Sequence, residues 1–412
     1  MRGLKLIAIA VLLSLVIFVI GGCGLIEKSP LPENAQDILS AQIFEQTATP
    51  KLAPENYIRA IWVSYLDLQD IISSDEAAYK QNINEMYENL ESIKTTDVFF
   101  QVRAFGESLY RSEVFTLTNS LYSSYSVETD YLGYAIEQAH SRGMKIHAWI
   151  NPYRLGASDS KSTIEFCNSI NEKSPGSINE FDGRMWIDPS SKAMNELNIN
   201  YIGELMQKFS FDGLHFDDYF YPTTDEKFDE YSYSQYKSEN GTLPLTEWRR
   251  SNVSEFVKAA NAKVKESREG TLFGVSPDAS IERDMNRHYV DVKSWCSSNE
   301  YIDYICPQIY FGYNNQTMPF LTTLTDWSEL CTECDLIVGL SFYKTGRPDT
   351  YAGTGESEWL ENLDIISRQY LDSLEFTNCS GIALFRYNSV FNPTDDAATF
   401  AQVELFNLQK VC

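Results

Sequence analysis

Short apolar runs recur along the chain from about residue 56, and each is followed by a longer segment with helical spacing. The apolar runs cover residues 58–65, 97–103, 144–150, 212–219, 272–277, 303–310, 336–343 and 381–387. Between them, residues 80–93, 131–142 and 253–265 place apolar side chains three and four positions apart, as amphipathic helices do. Strands that alternate with helices are typical of a parallel sheet in an α/β protein, and eight such units predict a closed (β/α)8 TIM barrel.

An open, doubly wound sheet is the alternative to a closed barrel. No GxGxxG turn follows any of the predicted strands, so a dinucleotide-binding fold lacks its main sequence signal. The segments 151–211 and 219–248 are longer than ordinary connections between a strand and its helix. They follow predicted strands three and four at the end where barrels carry their sites, so we expect these long loops to be functional.

The stretch FDGLHFDDYFYP contains two adjacent aspartates where predicted strand four ends. Side chains along a strand alternate between the barrel interior and the helix layer. Leu214 and Phe216 suit the helix layer, so His215 and Asp217 should face the interior. Asp218 should then turn outward. Asp217 is therefore predicted at the lip of a pocket, because TIM-barrel sites lie at the carboxyl ends of the strands.

The same alternation places polar and aromatic side chains from neighbouring strands on one rim. They are Arg103 on strand two, His147, Trp149 and Asn151 on strand three, His215 on strand four, Gln308 and Tyr310 on strand six and Arg386 on strand eight, joined by Tyr153, Arg154 and Tyr219 from the following loops. Aromatic faces suit the apolar faces of sugar rings, while amides and charged groups suit their hydroxyls. We predict that this set binds carbohydrate, although each residue alone is also consistent with packing.

The amino terminus has the pattern of a secretion signal. Two basic residues precede the apolar run LIAIAVLLSLVIFVI, which ends in two glycines and Cys23. The run is shorter than a typical membrane-spanning helix, and a charged residue on one side and small residues on the other lie close to its ends. Residues 1–22 resemble a bacterial lipoprotein signal, in which Cys23 becomes the lipidated first residue. We expect a flexible tether over residues 23–55 and a domain over residues 56–412 that is held at a membrane outside the cytoplasm.

The charge of the chain excludes one class of partner. The net charge is −25, because 58 Asp and Glu residues outnumber 33 Lys and Arg residues. A nucleic acid would be repelled by such a surface, so we predict no nucleic-acid partner.

The cysteines do not form the pattern of a disulfide scaffold, since seven of the eight follow Cys23 and are scattered over a long chain. Cys331 and Cys334 form a lone CxxC with no second pair at zinc-ribbon spacing. Free or locally paired cysteines are therefore expected, and no metal site or cofactor is predicted.

Several stretches taken together resemble one protein family. They are RAIWVSY, VRAFGESLYRS, KIHAWINPYR, MWIDPSS, FDGLHFDDYFYP, WRRSNVSEFV, FGVSP, DYICPQIYF and GIALFRY, and they are similar to the glycosyl hydrolase-like 10 family of bacterial envelope proteins. The resemblance extends from about residue 56 to about residue 391. It implies a TIM-barrel glycoside hydrolase related in architecture to the alpha-amylase clan, with cell-wall glycan, especially peptidoglycan strands, as the substrate. Similar members carry an aspartate shortly after the strand-two arginine where this chain has Glu107, so a carboxylate is retained there.

Glycoside hydrolysis usually needs one ionised and one protonated carboxyl group. Asp217 is predicted to be the ionised group, acting as nucleophile or charge stabiliser, because it matches in position the strand-four nucleophile of the alpha-amylase clan. His215, Arg154 and Arg386 would lower its pKa if they lie close.

The general acid has three candidates, which are Glu107, Asp278 at the end of strand five and, ranked below them, Asp218. Two other functions stay open. One is a glycan-binding barrel without catalysis. The other is a metal-dependent deacetylase using His147, His215 and Asp217, against which the absence of any HxxH or HxxE pair weighs.

Overall fold

The computed structural model describes residues 52–118, 122, 124–394 and 397–412. The signal segment 1–22, Cys23 and nearly all of the expected tether lie outside these residues. The described residues all belong to one compact unit. Within them, no helix has both the length and the apolar character needed to cross a membrane.

Eight parallel strands close into a barrel, which confirms the predicted TIM-barrel fold. They are β1 (Ile58–Val63), β2 (Asp97–Arg103), β3 (Lys145–Ile150), β4 (Gly213–Phe216), β5 (Leu272–Val275), β6 (Tyr304–Ile305), β7 (Asp335–Leu340) and β8 (Cys379–Leu384). Each strand pairs with the next along the chain, and β8 closes the ring by pairing with β1. Strands β4 to β6 are shorter than predicted, because the backbone leaves the regular ladder at their carboxyl ends and Gln308 keeps only isolated bridges to Asp278 and Gly339.

Helices cover the outside of the barrel and parts of its loops. The α-helices are Tyr65–Ile71, Glu76–Glu91, Tyr131–Ser141, Lys161–Asn171, Lys192–Lys208, Glu230–Ser238, Leu245–Ser267, Ile281–Arg283, Val292–Cys296, Phe320–Leu330, Glu358–Glu361, Ile365–Ser373, Tyr387–Phe391 and Ala398–Val411. A π-helical turn spans Asp284–His288, and 3-10 turns span Phe342–Lys344 and Gly353–Gly355. The second helix begins at Glu76 rather than at residue 80 because Asp75 caps it, accepting hydrogen bonds from the backbone N–H groups of Ala77 and Ala78.

The two long segments predicted after strands three and four contain structure of their own. After β3, the short strands Arg154–Ala157, Ile178–Phe181 and Arg184–Ile187 form a three-stranded antiparallel sheet, which we call the accessory sheet. After β4, the loop is tied to the outer helix Leu245–Ser267 by a fully buried ion pair between Arg249 and Asp229, 2.6 Å apart.

The centre of the barrel is polar as well as aromatic. Trp62 Nε1 donates to His215 Nε2 at 3.1 Å, and an indole N–H can only donate, so the proton of the neutral His215 ring lies on Nδ1. That Nδ1 lies 3.0 Å from the Tyr304 hydroxyl, which in turn lies 3.3 Å from His147 Nδ1. Nε2 of His147 lies 3.0 Å from Asp97 Oδ1. Because the neutral His215 donates to the Tyr304 hydroxyl, the Tyr304 proton is directed to His147 Nδ1 and His147 Nε2 donates to Asp97, so the hydrogen bonds run in one direction from Trp62 to Asp97.

Candidate active site

Asp217 lies directly after β4 with its side chain buried. Trp149 Nε1 donates to Asp217 Oδ2 at 3.2 Å, and Asn151 Nδ2 donates to the same oxygen at 2.6 Å. The other oxygen, Oδ1, lies 3.5 Å from the backbone N–H of Tyr219, at the limit of a hydrogen bond. The two strong donors therefore fix the carboxyl group through one oxygen and leave the other available to a ligand.

A series of hydrogen bonds between residues at the ends of β1, β2, β3 and β4 orients Asn151. Gln101 on β2 donates from Nε2 to Asn151 Oδ1 at 2.7 Å, and its Oε1 accepts from the backbone N–H of Tyr65 after β1 at 2.8 Å. Because the Asn151 carbonyl is occupied in this way, its amide N–H points at Asp217. Gln101 is not among the residues predicted to bind carbohydrate, and its role as a support for Asn151 emerges only from the structure.

Burial raises the pKa of Asp217, and the neighbouring Asp218 carboxylate raises it further. The charge of Arg154 and the hydrogen bond from Trp149 act in the opposite direction but do not reverse the shift. Arg154 therefore acts as expected, but burial and Asp218 outweigh it, and the pKa of Asp217 rises to about 8. His215 is held neutral inside the barrel, since burial lowers its pKa.

Arg386 does not reach Asp217, because its guanidinium is paired with the buried carboxylate of Asp67. Asp67 belongs to the helix Tyr65–Ile71 and also accepts from the backbone N–H of Asn388. Arg386 therefore ties the loop after β8 to the loop after β1, at the rim of the barrel.

Asp218 is half-buried and does not turn toward the helix layer as predicted. Burial raises the pKa of Asp218, while His288 and the Gln308 side chain favour its charged form. These neighbours come from the segments that follow β5 and β6, so Asp218 also lies at the barrel mouth. The prediction failed because β4 ends at Phe216, and strand alternation no longer governs the residues beyond it.

A second group of charged side chains follows β5. Asp278 is held by Arg283 through two contacts, at 2.6 Å and 2.9 Å. Asp284 is fully buried, and its pKa is raised by burial and by the charges of Asp278 and Asp218. His288 has its pKa lowered by burial, although Asp218 favours its charged form. Asp284 and His288 were not predicted, and the only signal was the density of charged residues after strand five.

Aromatic and arginine side chains form one side of the mouth. The Arg154 guanidinium lies 3.9 Å from the centre of the Tyr219 ring and 4.8 Å from that of Phe105. Arg184, on the accessory sheet, lies 4.9 Å from the same Phe105 ring. Burial and the nearby charge of Arg154 lower the pKa of Arg184. Among the described residues, neither arginine forms an ion pair with a carboxylate.

The opposite side of the mouth carries Tyr310, which is half-buried and packs against the rings of Tyr343 and Phe385. Gln308 donates from Nε2 to the backbone carbonyl of Ser276 at 3.2 Å. Tyr343 is 38% exposed, so it offers a ring face to a ligand that sequence reasoning did not identify.

Arg103 and Tyr153 lie away from the mouth, contrary to prediction. The β2–β3 register shifts between Gln101 and Arg103. The regular alternation of side chains is therefore interrupted before Arg103, and its side chain turns toward the outer helix Lys192–Lys208. There it is 1% exposed and donates to Asn198 and to the backbone carbonyls of Asn151 and Pro152. Tyr153 is fully buried and donates to Asn195.

His147 and His215 face the barrel interior as predicted, but both are buried beneath the mouth and their ring nitrogens are engaged with Trp62, Tyr304 and Asp97. They support the floor of the site and do not reach a ligand in the cleft. The same contacts keep them from forming a ligand set with Asp217.

Glu107 lines a cavity beside the barrel mouth. The cavity has a volume of about 240 Å3 and includes Phe105, Gly156, Phe166 and Arg184 in its lining, but neither Asp217 nor Asp218. The Thr118 hydroxyl donates to Glu107 Oε2 at 3.1 Å. Glu107 therefore shares the arginine side of the mouth with Arg184 rather than facing Asp217 directly.

With this geometry established, comparison with known proteins assigns the chain to a family. The glycosyl hydrolase-like 10 family model matches residues 57–357. The chain belongs to this family. Membership makes it a glycoside hydrolase with a TIM-barrel fold.

Two relatives and one solved structure are similar to the chain at 13% to 26% sequence identity. The chain is 26% identical over 388 residues to the glycosyl hydrolase DigH of Escherichia coli strain K12, covering 84% of this chain and 86% of that protein. It is 25% identical over 293 residues to the glycosyl hydrolase YngK of Bacillus subtilis strain 168, covering 66% of this chain and 57% of that protein. The solved alpha-L-fucosidase isoenzyme 2 from Paenibacillus thiaminolyticus has a similar fold, with a TM-score of 0.52 at 13% identity, and 85% of this chain matches 49% of the fucosidase.

Proposed function

We propose that this glycosidase cleaves cell-wall glycan, in particular peptidoglycan strands, with Asp217 as the nucleophile or as the charge that stabilises an oxocarbenium-like transition state. The observation that carries the catalytic role is the pair of donors, Trp149 and Asn151, on one oxygen of a carboxyl group at the barrel mouth. Both bonds favour the ionised carboxylate and offset part of the cost of burial. The free oxygen is then available to an anomeric carbon.

We infer that Asp218 supplies the proton. The carboxyl groups of the buried Asp217 and the half-buried Asp218 are on adjacent residues and resist simultaneous ionisation, so the pair retains one proton in a range where an isolated carboxyl group would have lost it. The pKa of Asp217 is raised to about 8 in the free protein, and we assign the charge to Asp217 because its two donors, Trp149 and Asn151, favour the ionised form, which leaves the proton on Asp218. Asp278 is held by Arg283, which suits an ionised carboxylate. Glu107 lines the adjoining cavity, so we rank it below Asp218.

Arg154 and Arg184 support peptidoglycan as the substrate. Two neighbouring guanidinium groups without a carboxylate partner among the described residues favour an anion, and Arg154 covers one face of the exposed Tyr219 ring. Peptidoglycan strands carry lactyl or peptide carboxylates on alternate sugars. A sugar ring against Tyr219 would place such a carboxylate near the two arginines.

We propose a cellular location from the sequence of the amino terminus. A lipid on Cys23 would hold the enzyme at a membrane facing the cell wall, with residues 24–55 as the spacer. This placement brings the barrel to the proposed substrate.

The decisive experiment is product analysis by mass spectrometry after incubation with purified peptidoglycan. The parent should release glycan fragments with new reducing ends, and Asp217→Asn should lower turnover by roughly 3–4 orders of magnitude while the fold is retained. Binding without release would indicate a glycan-binding module. Release of acetate without chain cleavage, lost on chelation, would indicate a deacetylase.

The acid is identified with an aryl glycoside whose leaving group needs no proton. Asp218→Asn should lose activity on peptidoglycan but retain most of its activity on the aryl substrate, because proton donation matters only for a poor leaving group. Glu107→Gln is the matched control. If Glu107→Gln shows this pattern instead, the proton donor is Glu107.

A further inference from the structure

Three cysteines converge at the end of the barrel opposite Asp217. Cys296 ends the helix Val292–Cys296, and Cys331 and Cys334 lie in the loop that leads into β7. Their three Sγ atoms all lie within 4.8 Å of one another, and those of Cys296 and Cys331 are 3.9 Å apart. Cys296 and Cys331 are buried, while Cys334 is half-buried and accessible from solvent.

The backbone holds this cluster in place. The N–H groups of Thr332 and Glu333, inside the CxxC turn, both donate to the carbonyl of Cys296, at 3.1 Å and 2.9 Å. The N–H of Cys331 donates to Trp327 in the preceding helix at 3.1 Å. The turn is therefore attached to the end of the helix that carries the third cysteine, which keeps the three sulfurs close together.

The sulfurs are spaced as reduced thiols are, and this spacing is also compatible with a shared metal ion. A disulfide requires an S–S distance of about 2.05 Å. A tetrahedral metal with metal–sulfur bonds of about 2.3 Å holds its sulfurs about 3.8 Å apart, which is close to the distance between Cys296 and Cys331.

We propose that Cys296, Cys331 and Cys334 bind a thiophilic divalent metal ion of the Zn2+ type. Three thiols lose their protons to solvent, three metal–sulfur bonds form, and a water or an external ligand takes the fourth position. The site joins the segment before β6 to the segment before β7, far from the catalytic mouth, so it stabilises the barrel and takes no part in hydrolysis. The CxxC alone did not indicate it, because the third ligand lies 35 residues away in sequence.

The test uses the full chain purified under reducing, metal-free conditions. Titration with Zn2+ against a chromophoric chelator should show one bound ion per chain, and Co2+ should give thiolate charge-transfer bands. Cys334→Ser should weaken Zn2+ binding by about 100-fold or more, since losing a ligand exceeds the 10–100-fold effect of losing a supporting contact. Cys167→Ser, which removes a buried cysteine elsewhere, should bind like the parent.

A measurement on the parent protein gives a result that does not depend on whether the variants fold. Zn2+ should shield Cys334, the cluster cysteine that solvent reaches, from alkylation, as mapped by peptide mass spectrometry, while Cys167 is unaffected. Absence of binding and of shielding in the parent overturns the proposal. The proposal is also overturned if the peptide masses show that the cluster cysteines have lost two hydrogens and the protein binds no Zn2+, because that result shows a disulfide. None of these results depends on the glycosidase activity.

Discussion

Removing the amide of Asn151 should shift the pH dependence of catalysis. Asn151 donates to Asp217 Oδ2 at 2.6 Å and both side chains are buried, and hydrogen bonds to charged groups contribute about 1.5–3 kcal/mol. One pKa unit corresponds to about 1.4 kcal/mol, so Asn151→Ala should raise the pKa of Asp217 by about 1–2 units. The bond favours the ionised form, and losing it therefore moves the acidic limb of the kcat/KM profile to higher pH.

The assay is the initial rate of glycan cleavage as a function of pH, with circular dichroism to confirm folding. Trp149→Phe removes the longer of the two bonds, at 3.2 Å, and should shift the same limb by less. Trp186→Phe is the matched control, because the indole N–H of Trp186 is buried near the mouth and bonds to no described atom. An unchanged acidic limb in folded Asn151→Ala, or an equal shift in Trp186→Phe, would refute the role assigned to these donors.

Three further predictions concern stability and location. Arg249→Ala should cost about 3–5 kcal/mol in urea unfolding, because it leaves the Asp229 charge buried and unpaired, whereas the neighbouring, half-exposed Arg250→Ala should cost far less. Equal losses would contradict this account. Burial raises the pKa of Glu404 from 4.5 to about 7, so the parent should lose up to about 3 kcal/mol of stability as pH rises through that range, and Glu404→Gln should flatten the loss. An unchanged slope would show that Glu404 does not titrate as assigned. Cys23→Ser should leave the membrane fraction or accumulate unprocessed, and normal fractionation would disprove the lipid anchor.

The sequence was most informative where the chain is regular. Alternation along β3 and β4, which holds for one residue past the end of each strand, correctly brought Trp149, Asn151 and Asp217 to one place, because paired parallel strands keep side chains of matching parity on one side. It failed where regularity ends. A register shift turned Arg103 away from the rim, and the end of β4 freed Asp218 from the strand pattern.

Other features have no local signature in the sequence. Parity indicates that His147 faces inward, but it does not distinguish a residue at the mouth from one at the floor, and that distinction depends on the position of Asp97 across the barrel. The metal ligands and the carboxyl group of Asp284 depend likewise on contacts between distant segments. Such contacts are set by the closure of the barrel rather than by neighbouring residues.

The one-way hydrogen bonds from Trp62 to Asp97 limit how the barrel core can be changed. Each group in the series donates onward because it accepts from the group before it, so an acceptor placed at position 62 would require the protons on His215, Tyr304 and His147 to reverse. A single substitution therefore leaves two donors or two acceptors facing each other, whereas coordinated substitutions avoid this conflict. A protein-engineering project that replaces the loops of the barrel mouth should therefore keep or change five positions together. They are Trp62, His215, Tyr304, His147 and Asp97, and homologues should replace them as a set.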